Sequence, residues 1–295
     1  MELRQLRTFR KVAQVMNFTK AAAELNYAQS SVTGQVKALE TELNVALFER
    51  IGKRVRLTDA GRQLLPYADR VLDMADEARR IVTDNDEPAG TLNIGTIESV
   101  STYRLPALLE LFYHRYPKVQ LSLHTAPCPE TSLALAQGAL DVGFLMEQKT
   151  DHPGLVTVRL CEEELIVVAA PDHPLVSADS VGVSDLGTAD ILVVETGCAY
   201  RDLFELELDG ASVEPLPVFE FGTVEAIKRT VKSGLGISLL PKITVHEELA
   251  SGELAIVPWE VPFQVSTQLA WHEEKWMSRE RKTFIDEAMR TVGEQ

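Results

Sequence analysis

The chain has 295 residues, of which 45% are hydrophobic, and a formal net charge of -15. This length supplies one large domain or two to three small ones, and the lack of an apolar run of about 18 residues or of a signal-peptide core leads us to expect a cytoplasmic protein without a membrane segment. The three cysteines and six histidines form no CxxC or HExxH pattern, so neither a disulfide framework nor a metal site of the usual spacing is expected.

The first forty or so residues predict three helices. Apolar residues recur at helical spacing over residues 3–15, which indicates an amphipathic helix. Asn17 is the expected N-cap of a short second helix that ends before Asn26. A third helix begins at about Gln29 and is expected to turn four apolar side chains inward, namely Val32, Val36, Leu39 and Leu43.

The opposite face of the third helix carries small and polar groups. At 100° per residue this face holds Ser30, Gly34, Lys37 and Thr41, with Ser31 and Thr33 beside it. Two helices joined by a tight turn, the second with such a face, indicate a helix-turn-helix. Gly34 costs this helix about 1 kcal/mol relative to alanine. Either its missing side chain lets the helix approach a groove closely, or the position simply tolerates glycine, and the sequence leaves both open.

A short basic segment follows these helices. Leu47 and Phe48 are expected to seal the core, and four cations surround a turn at Gly52, namely Arg50, Lys53, Arg54 and Arg56. This pattern predicts a basic hairpin, or wing. Residues 1–62 hold eleven Lys and Arg against six Asp and Glu, a net charge of +5, so -20 remains for the rest of the chain. A basic N-terminal segment followed by an acidic remainder is typical of a chain in which only the N-terminal segment contacts phosphate.

Residues 59 to about 85 predict one long helix. Its apolar stripe consists of Leu64, Tyr67, Ala68, Val71, Met74, Ala75, Ala78, Ile81 and Val82. Such a stripe indicates helix pairing between two chains, and packing against the protein's own body is the alternative. Pro66 is expected to kink this helix without ending it. The segment from Asp84 to Gly90 predicts a domain boundary.

From Thr91 onward, predicted strands and helices alternate. The expected strands lie at 91–97, 119–125, 140–145, 164–170, 190–195, 236–241 and 267–272, and the helical patterns at 105–116, 130–139 and 223–234. This alternation predicts an α/β fold with mostly parallel sheets, arranged as one sheet or as two lobes. Ligands of such folds bind beyond the carboxyl ends of the strands.

Five strings follow one another along essentially the whole chain: FTKAAAELNYAQSSVTGQVKALETELNVALFER, RVRLTDAG, GTLNIGTIESVSTYRLPALLELFYHRYP, GALDVGFL and TVEAIKRTVKSGLGISLLP. In this order and spacing they resemble the LysR-type transcriptional regulators. The resemblance implies an N-terminal winged helix-turn-helix over 1–58, a dimerising linker helix over 59–87, and a two-lobed α/β effector domain over 88–295 that resembles type 2 periplasmic binding proteins. Two positions depart from the family's usual residues. Ala28 replaces a capping serine, which removes about 1 kcal/mol of capping, and Asn44 replaces a glycine, a mild change because asparagine tolerates the left-handed cap.

Within the effector domain, the resemblance places lobe I at about 91–162 and 266–295 and lobe II at about 163–265, with a hinge at the crossovers near Cys161 and Val265. It implies a sequence-specific regulator whose contacts with double-stranded promoter DNA are modulated by a small-molecule effector bound between the lobes. The implied partners are a second copy in a homodimer, further copies in a homotetramer, and RNA polymerase if the protein is an activator. No cofactor, catalytic residue, metal or membrane partner is implied.

The residues expected to bind DNA lie on the exposed helix face and the wing. They are Thr19, Gln29, Ser30, Ser31, Thr33, Gly34, Gln35, Lys37, Arg50, Lys53 and Arg54. Glutamine reads adenine, and Ser and Thr bond either bases or phosphates. The wing arginines are expected to clamp phosphate or enter the minor groove. The alternative is a solvated helix surface without a partner.

Three segments are expected to reach an effector. They are Glu98, Ser99, Val100, Ser101 and Thr102, then Thr196, Gly197, Cys198 and Tyr200, and finally Phe221, Gly222 and Thr223. The first opens a helix, where free N–H groups hold anions. The alternative is that these Ser and Thr residues only cap helices. Arg104 and Arg201 would complement a carboxylate if they turned inward, and otherwise they lie on the surface. A redox role for Cys198 would need a resolving thiol, and no second cysteine lies near it in sequence.

Two other functions are alternatives. An enzyme is disfavoured because the chain has no GxSxG or GxxxxGK[ST] motif, and the GLG at 234–236 lacks the third glycine of a dinucleotide fingerprint. A solute-binding protein without gene regulation fits residues 91–295. It does not explain the basic N-terminal 62 residues.

Overall fold

The computed structural model describes residues 1–51, 54–82, 87–213 and 219–293. The chain separates into two compact units, Met1–Asp86 and Glu87–Gln295, and each unit has hydrophobic clusters of its own. In the described part of the chain, no helix combines the length and apolarity needed to cross a membrane.

The N-terminal unit begins with α1 (Leu3–Val15), α2 (Phe18–Glu24) and α3 (Gln29–Leu43). The predicted N-cap of α2 is confirmed, because Asn17 Oδ1 accepts hydrogen bonds from the backbone N–H groups of Thr19 and Lys20 at 2.9 and 3.0 Å. Three of the four apolar side chains expected to point inward from α3 are buried, and Leu43 is exposed. That part of the prediction was wrong because the helix ends at this residue, where Asn44 adopts the left-handed conformation (φ 52°, ψ 36°).

A hairpin follows, formed by β1 (Phe48–Ile51) and β2 (Arg54–Leu57) in antiparallel register. At its base, the Phe48 ring packs between Phe9 and Phe18, with ring centroids 5.4 and 5.6 Å apart, and Leu47 is buried. The predicted wing and its core seal are therefore confirmed. A long helix, α4 (Asp59–Val82), completes the unit and contains Pro66.

The apolar residues of α4 occupy two environments. Ala68 is buried together with Leu72, which the predicted stripe did not include, in a cluster that also holds Leu6 and Phe9 of α1. Tyr67, Val71 and Met74 are exposed. One face of α4 therefore packs within its own unit and the other lies open; pairing of the open face with a second chain stays a prediction.

The C-terminal unit has two lobes, and the chain enters lobe I first. Its elements there are β3 (Gly90–Thr96), α5 (Glu98–Tyr103), α6 (Pro106–Arg115), β4 (Val119–Thr125), α7 (Cys128–Ala136), β5 (Val142–Glu147) and β6 (Leu155–Glu163). Lobe II contains β7 (Leu165–Ala169), α8 (Val183–Leu186), β8 (Leu192–Val194), α9 (Ala199–Gly210), β9 (Phe219–Phe221), α10 (Val224–Lys232), β10 (Ser238–Pro241), α11 (His246–Ser251) and β11 (Ala255–Val257). The chain then returns to lobe I as β12 (Val265–His272) and α12 (Arg279–Thr291).

The sheets are mixed. Lobe I has a five-stranded sheet of order β4-β3-β5-β12-β6, in which β3 runs parallel to β4 and β5 while β12 runs antiparallel to β5 and β6. In lobe II, β7 is antiparallel to both β10 and β11, and β8 is parallel to β9. The prediction of mostly parallel sheets was wrong, because a continuous apolar run such as LIVVA shows burial on both faces and does not specify strand direction.

The two crossings between the lobes lie side by side. Strand β6 ends at Glu163, next to the start of β12, and Val265 pairs with Glu163 in the ladder. The position of the predicted hinge therefore coincides with one strand pair, and its motion stays a prediction.

Candidate functional site

The exposed face of α3 carries most of the residues expected to bind DNA. The opposite face holds Val32 and Val36 in a cluster with Val12, Ala21 and Ala22 of α1 and α2, which fixes the rotation of the helix. As a result, the following predicted residues are exposed: Thr19 on α2, and Gln29, Ser30, Ser31, Thr33, Gly34 and Lys37 on α3. The N-terminal end of α3 lies on the same surface, because residues 28–31 are all exposed.

Gln35 differs from its neighbours. Its side chain is half-buried, and its Oε1 accepts a hydrogen bond from Thr8 Oγ1 of α1 at 2.5 Å. Thr8 is fully buried. The carbonyl oxygen of Gln35 therefore holds α3 against α1 instead of facing outward with the other predicted residues.

Two features of α3 depend on single residues. Ala28 is its N-cap, with φ -68° and ψ 144°, and provides no side-chain hydrogen bond, as its chemistry predicts. A Cβ added at Gly34 would meet no atom within 4 Å. Packing within this unit therefore does not require glycine at position 34.

The wing residues are described less completely. Arg50 pairs with Val55, and Arg54 with Ile51, in the ladder of the hairpin. Lys53 lies outside the described residues. The backbone positions of both arginines therefore lie on the two strands of the wing.

A second site lies in the C-terminal unit, in a cavity between the two lobes. Six of the residues expected to reach an effector line it, namely Glu98, Ser99, Cys198, Tyr200, Gly222 and Thr223. Its other walls include four residues that the sequence analysis did not single out, Pro127, Cys128, Met146 and Glu195. The cavity volume is about 40 Å³, which is enough to admit water.

The other residues expected at this site do not line the cavity. Val100 is buried in the core, and Phe221 packs against the same core. Three hydroxyl groups donate to neighbouring oxygens: Ser101 to the Glu98 carbonyl at 2.8 Å, Thr102 to the Glu98 carboxylate at 3.4 Å, and Thr196 to Glu220 at 3.3 Å. Thr223, which does line the cavity, also caps α10, because its Oγ1 accepts a hydrogen bond from Ala226 N–H; the capping alternative applies to this residue.

Polar contacts join the lobes beside the cavity. Tyr103 on α5 donates its hydroxyl hydrogen to Glu225 Oε1 on α10 at 2.5 Å, and Lys228 Nζ donates to the Tyr103 oxygen at 3.1 Å and to Glu225 at 2.6 Å. We call Tyr103, Glu225 and Lys228 the interlobe latch. Burial and the bond to Glu225 raise the pKa of Tyr103 to about 12, so its hydroxyl keeps its proton at neutral pH. Nearby, Val224 N–H donates to Glu98 Oε2 at 3.3 Å.

Neither arginine expected to complement a carboxylate ligand is free to do so. Arg104 is buried and donates two hydrogen bonds to Glu163, at 2.6 and 2.7 Å. Arg201 donates to Glu205, to Glu220 and to the Val194 carbonyl, each at 2.7 Å. The side chains turn to carboxylates of the protein, because an unpaired buried guanidinium is costly.

Cys198 has a second thiol close to it after all. The fold brings Cys128, at the start of α7, to the wall of the same cavity, although the two are far apart in sequence. Burial raises the pKa of Cys198 to about 11 and that of Cys128 to about 12. Both are therefore protonated at neutral pH, which opposes the redox alternative because the thiolate is the reactive form.

Comparisons with known proteins agree with this architecture. The family described as "Bacterial regulatory helix-turn-helix protein, lysR family" matches residues 3–62, and the "LysR substrate binding domain" matches residues 85–292. The "Uncharacterized HTH-type transcriptional regulator YwqM" of Bacillus subtilis is 42% identical over 292 residues, which is 99% of each chain. This chain belongs to the LysR family of transcriptional regulators. The family resemblance noted from the sequence is thereby confirmed.

Solved structures of LysR-type regulators have the same fold as this one. A full-length OxyR variant from Pseudomonas aeruginosa matches with a TM-score of 0.77 and 26% identity, covering 99% of this chain and 94% of that one. The full-length CbnR structure, solved in complex with target DNA, matches with a TM-score of 0.66 and 25% identity, covering 99% and 100% of the two chains. A winged helix-turn-helix, a long helix and a two-lobed α/β effector domain are thus the architecture of this LysR-type regulator.

Proposed function

We propose that this LysR-type regulator reads a promoter sequence through α3 and its wing, and that a small molecule bound between the lobes alters those contacts. The observation that carries the proposal is the composition of the exposed α3 face, where Ser30, Ser31, Gly34 and Lys37 lie together. These are short hydrogen-bonding groups and one cation on a helix that fits a major groove.

The elements around α3 have complementary roles in this proposal. Gln29 and Thr33 read base edges, and Lys37 meets phosphate. The exposed N-terminal end of α3 offers backbone N–H groups to a second phosphate. Arg50, Lys53 and Arg54 of the wing hold the flanking backbone or minor groove. The CbnR relative solved with its target DNA supports the use of this unit for DNA.

Dimerisation through α4 follows from its open apolar face. Tyr67, Val71 and Met74 recur at helical spacing and are all exposed, and an exposed apolar patch marks an interaction site. A second copy of the same helix is the partner we propose, with further pairing into a tetramer. The two N-terminal units of one dimer then bind two half-sites whose separation is about one helical turn of DNA or a multiple of it. An activator of this design also contacts RNA polymerase.

The effector site of the proposal is the cavity between the lobes. Its walls come from both lobes, with Ser99 on one side and Tyr200 and Thr223 on the other. A ligand held by both walls biases their separation, which is how two-lobed domains couple binding to movement. Movement of the lobes then changes how the two chains pack in the dimer, and with it the distance between their DNA-binding N-terminal units.

Selection of bound fragments from genomic DNA, followed by footprinting, tests the DNA part of this function. We expect a protected site with two related half-sites. Lys37→Ala should weaken binding at every sequence and lower the slope of log affinity against log salt by about 1. Lys282→Ala is the matched control, because Lys282 is an exposed lysine of the other unit. A single unpaired half-site, or equal effects of both variants, would contradict the proposal.

A further inference from the structure

The cavity between the lobes carries negative charge. Glu98 lies on its lobe I wall and Glu195 on its lobe II wall. No Lys, Arg or His is among the described residues that line it. The start of α5 therefore lines a cavity that already holds two carboxylates, and two like charges disfavour the anion site expected from the sequence.

Three cations of the C-terminal unit are each paired with carboxylates outside the cavity lining. Arg104 is paired with Glu163, and Arg201 with Glu205 and Glu220. Lys228 is paired with Glu225 and Glu248. Each of these cations is thus held by other carboxylates of the protein.

Two polar groups in the cavity also lack a partner within the described residues. Ser99 is 95% buried, since its relative exposure is 5%, and its hydroxyl makes no hydrogen bond to any described residue. The half-buried carboxylate of Glu195 likewise makes no hydrogen bond or ion pair there. Both groups line the cavity and bond to no described residue, so their oxygens are available to a ligand that enters it.

We propose that this cavity binds a small organic cation, a protonated amine carried on a short apolar body. An ammonium group has three N–H donors, and Glu98, Glu195 and Ser99 supply oxygen acceptors. The apolar body fits the remaining wall, which includes Ile97, Pro127, Met146 and Val194. This inference rests on the proposed function, because it assigns a chemical class to the effector of the same cavity.

Met146 gives a direct readout of occupancy. The chain has six methionines, and Met146 lines the cavity. Protein labelled with ¹³C at the methionine methyl groups therefore reports binding through one signal, which Met146→Leu assigns. Three probes of equal heavy-atom number separate charge from size: propylammonium, acetate and 1-propanol, titrated into the full-length protein at pH 7 and constant ionic strength.

We expect propylammonium alone to shift the Met146 signal saturably. Glu195→Gln should raise the apparent Kd for propylammonium at least tenfold, and Ser99→Ala should also raise it. Glu110→Gln, which removes an exposed carboxylate from α6, should leave it within twofold. The unchanged spectrum of the other methionines confirms that each variant is folded.

The remaining outcomes overturn the inference in distinguishable ways. A saturable shift with acetate and none with propylammonium reverses the charge class and leaves the cavity as the proposed effector site. Equal shifts with all three probes show that the cavity does not distinguish ligands by their charge. If no probe shifts the Met146 signal, the ammonium assignment is overturned and the cavity loses support as a ligand site. The DNA footprint tests the rest of the proposed function independently.

Discussion

Arg104 and Glu163 form a buried, bidentate ion pair at the point where the chain leaves lobe I for lobe II. The guanidinium donates from Nε and Nη2 at 2.6 and 2.7 Å, and Thr267 of β12 donates to the same carboxylate at 2.5 Å. One carboxylate thus joins the end of α5, the end of β6 and the start of β12. Removing one member of a buried pair leaves an uncompensated charge.

Arg104→Met should therefore destabilise the C-terminal unit by about 3–5 kcal/mol. Urea unfolding followed by tryptophan fluorescence measures this unit alone, because all three tryptophans of the chain lie in residues 259–276. The matched control is Arg159→Met, which breaks the exposed pair with Glu162 and should cost about 0–1 kcal/mol. Equal costs for the two variants would contradict the role assigned to burial.

The caps of α2 and α3 predict changes of opposite sign. Ala28→Ser adds a side-chain acceptor at a cap with suitable backbone angles and should stabilise the N-terminal unit by about 1 kcal/mol. Asn17→Ala removes two cap hydrogen bonds and should destabilise it by a similar amount, about 1 kcal/mol. Amide hydrogen exchange of peptides within residues 1–58 gives both opening free energies. No gain from Ala28→Ser would show that another group already satisfies the start of α3.

Gly34→Ala separates the stability of α3 from its contact with DNA. Since an added Cβ meets no neighbouring atom, the substitution should raise the stability of the helix by about 1 kcal/mol. Hydrogen exchange over α3 measures the gain, and operator titration measures affinity in parallel. A loss of stability would contradict the open environment. Unchanged affinity would mean that glycine takes no part in the approach to DNA, and weaker affinity would assign it that role.

Cys198 should react slowly in the folded protein. Its pKa is raised to about 11, so at pH 8 its alkylation by iodoacetamide should be on the order of 100-fold slower than in urea, where an ordinary thiol has a pKa of about 8.5. Because folding raises this pKa, the free energy of unfolding also depends on pH. The protonated thiol stabilises the folded protein below about pH 9, and this stabilisation is lost as the pH rises through about 11. Peptide mass spectrometry measures the rates, and equal rates in folded and unfolded protein would restore the redox alternative.

The open face of α4 predicts a charge-sensitive dimer. Met74→Asp places a carboxylate among exposed apolar side chains and should shift the protein toward monomer, because a buried unpaired charge disfavours association. Light scattering during gel filtration gives the mass. Met74→Leu keeps the apolar surface and should leave the mass unchanged. A Met74→Asp protein that retains the mass of the parent would place the dimer interface elsewhere.

The N-terminal unit could be predicted closely because its signals are local. Helical periodicity located the three helices, Asn17 marked a cap, and a glycine among basic residues marked the wing. Leu72 was missed because its burial depends on how α4 packs against α1, which periodicity along α4 alone does not specify. The contact of Gln35 with Thr8 could not be predicted for the same reason, since the two residues lie 27 positions apart.

The cavity was predictable only in part. Ser99 and Cys198 follow predicted strands and line the cavity, in keeping with the rule that ligands bind beyond the carboxyl ends of strands; that they bind a ligand stays a prediction. Cys128 and Glu195 were not singled out, because their position at the cavity depends on how the two lobes face each other. The pairing of Arg104 with Glu163 depends on β6, a strand that the sequence pattern did not reveal. Long-range proximity of this kind leaves no periodic trace in one sequence.

The interlobe latch has a consequence for how tightly an effector is held. The bond from Tyr103 to Glu225 joins the two lobes, so a ligand that needs the lobes apart binds only to molecules in which this bond is broken. The apparent dissociation constant then equals the intrinsic one divided by the fraction of open molecules. Sensitivity to the effector is thus set by residues that never touch it, and weakening the latch tunes the regulator to lower concentrations while the binding surface stays the same.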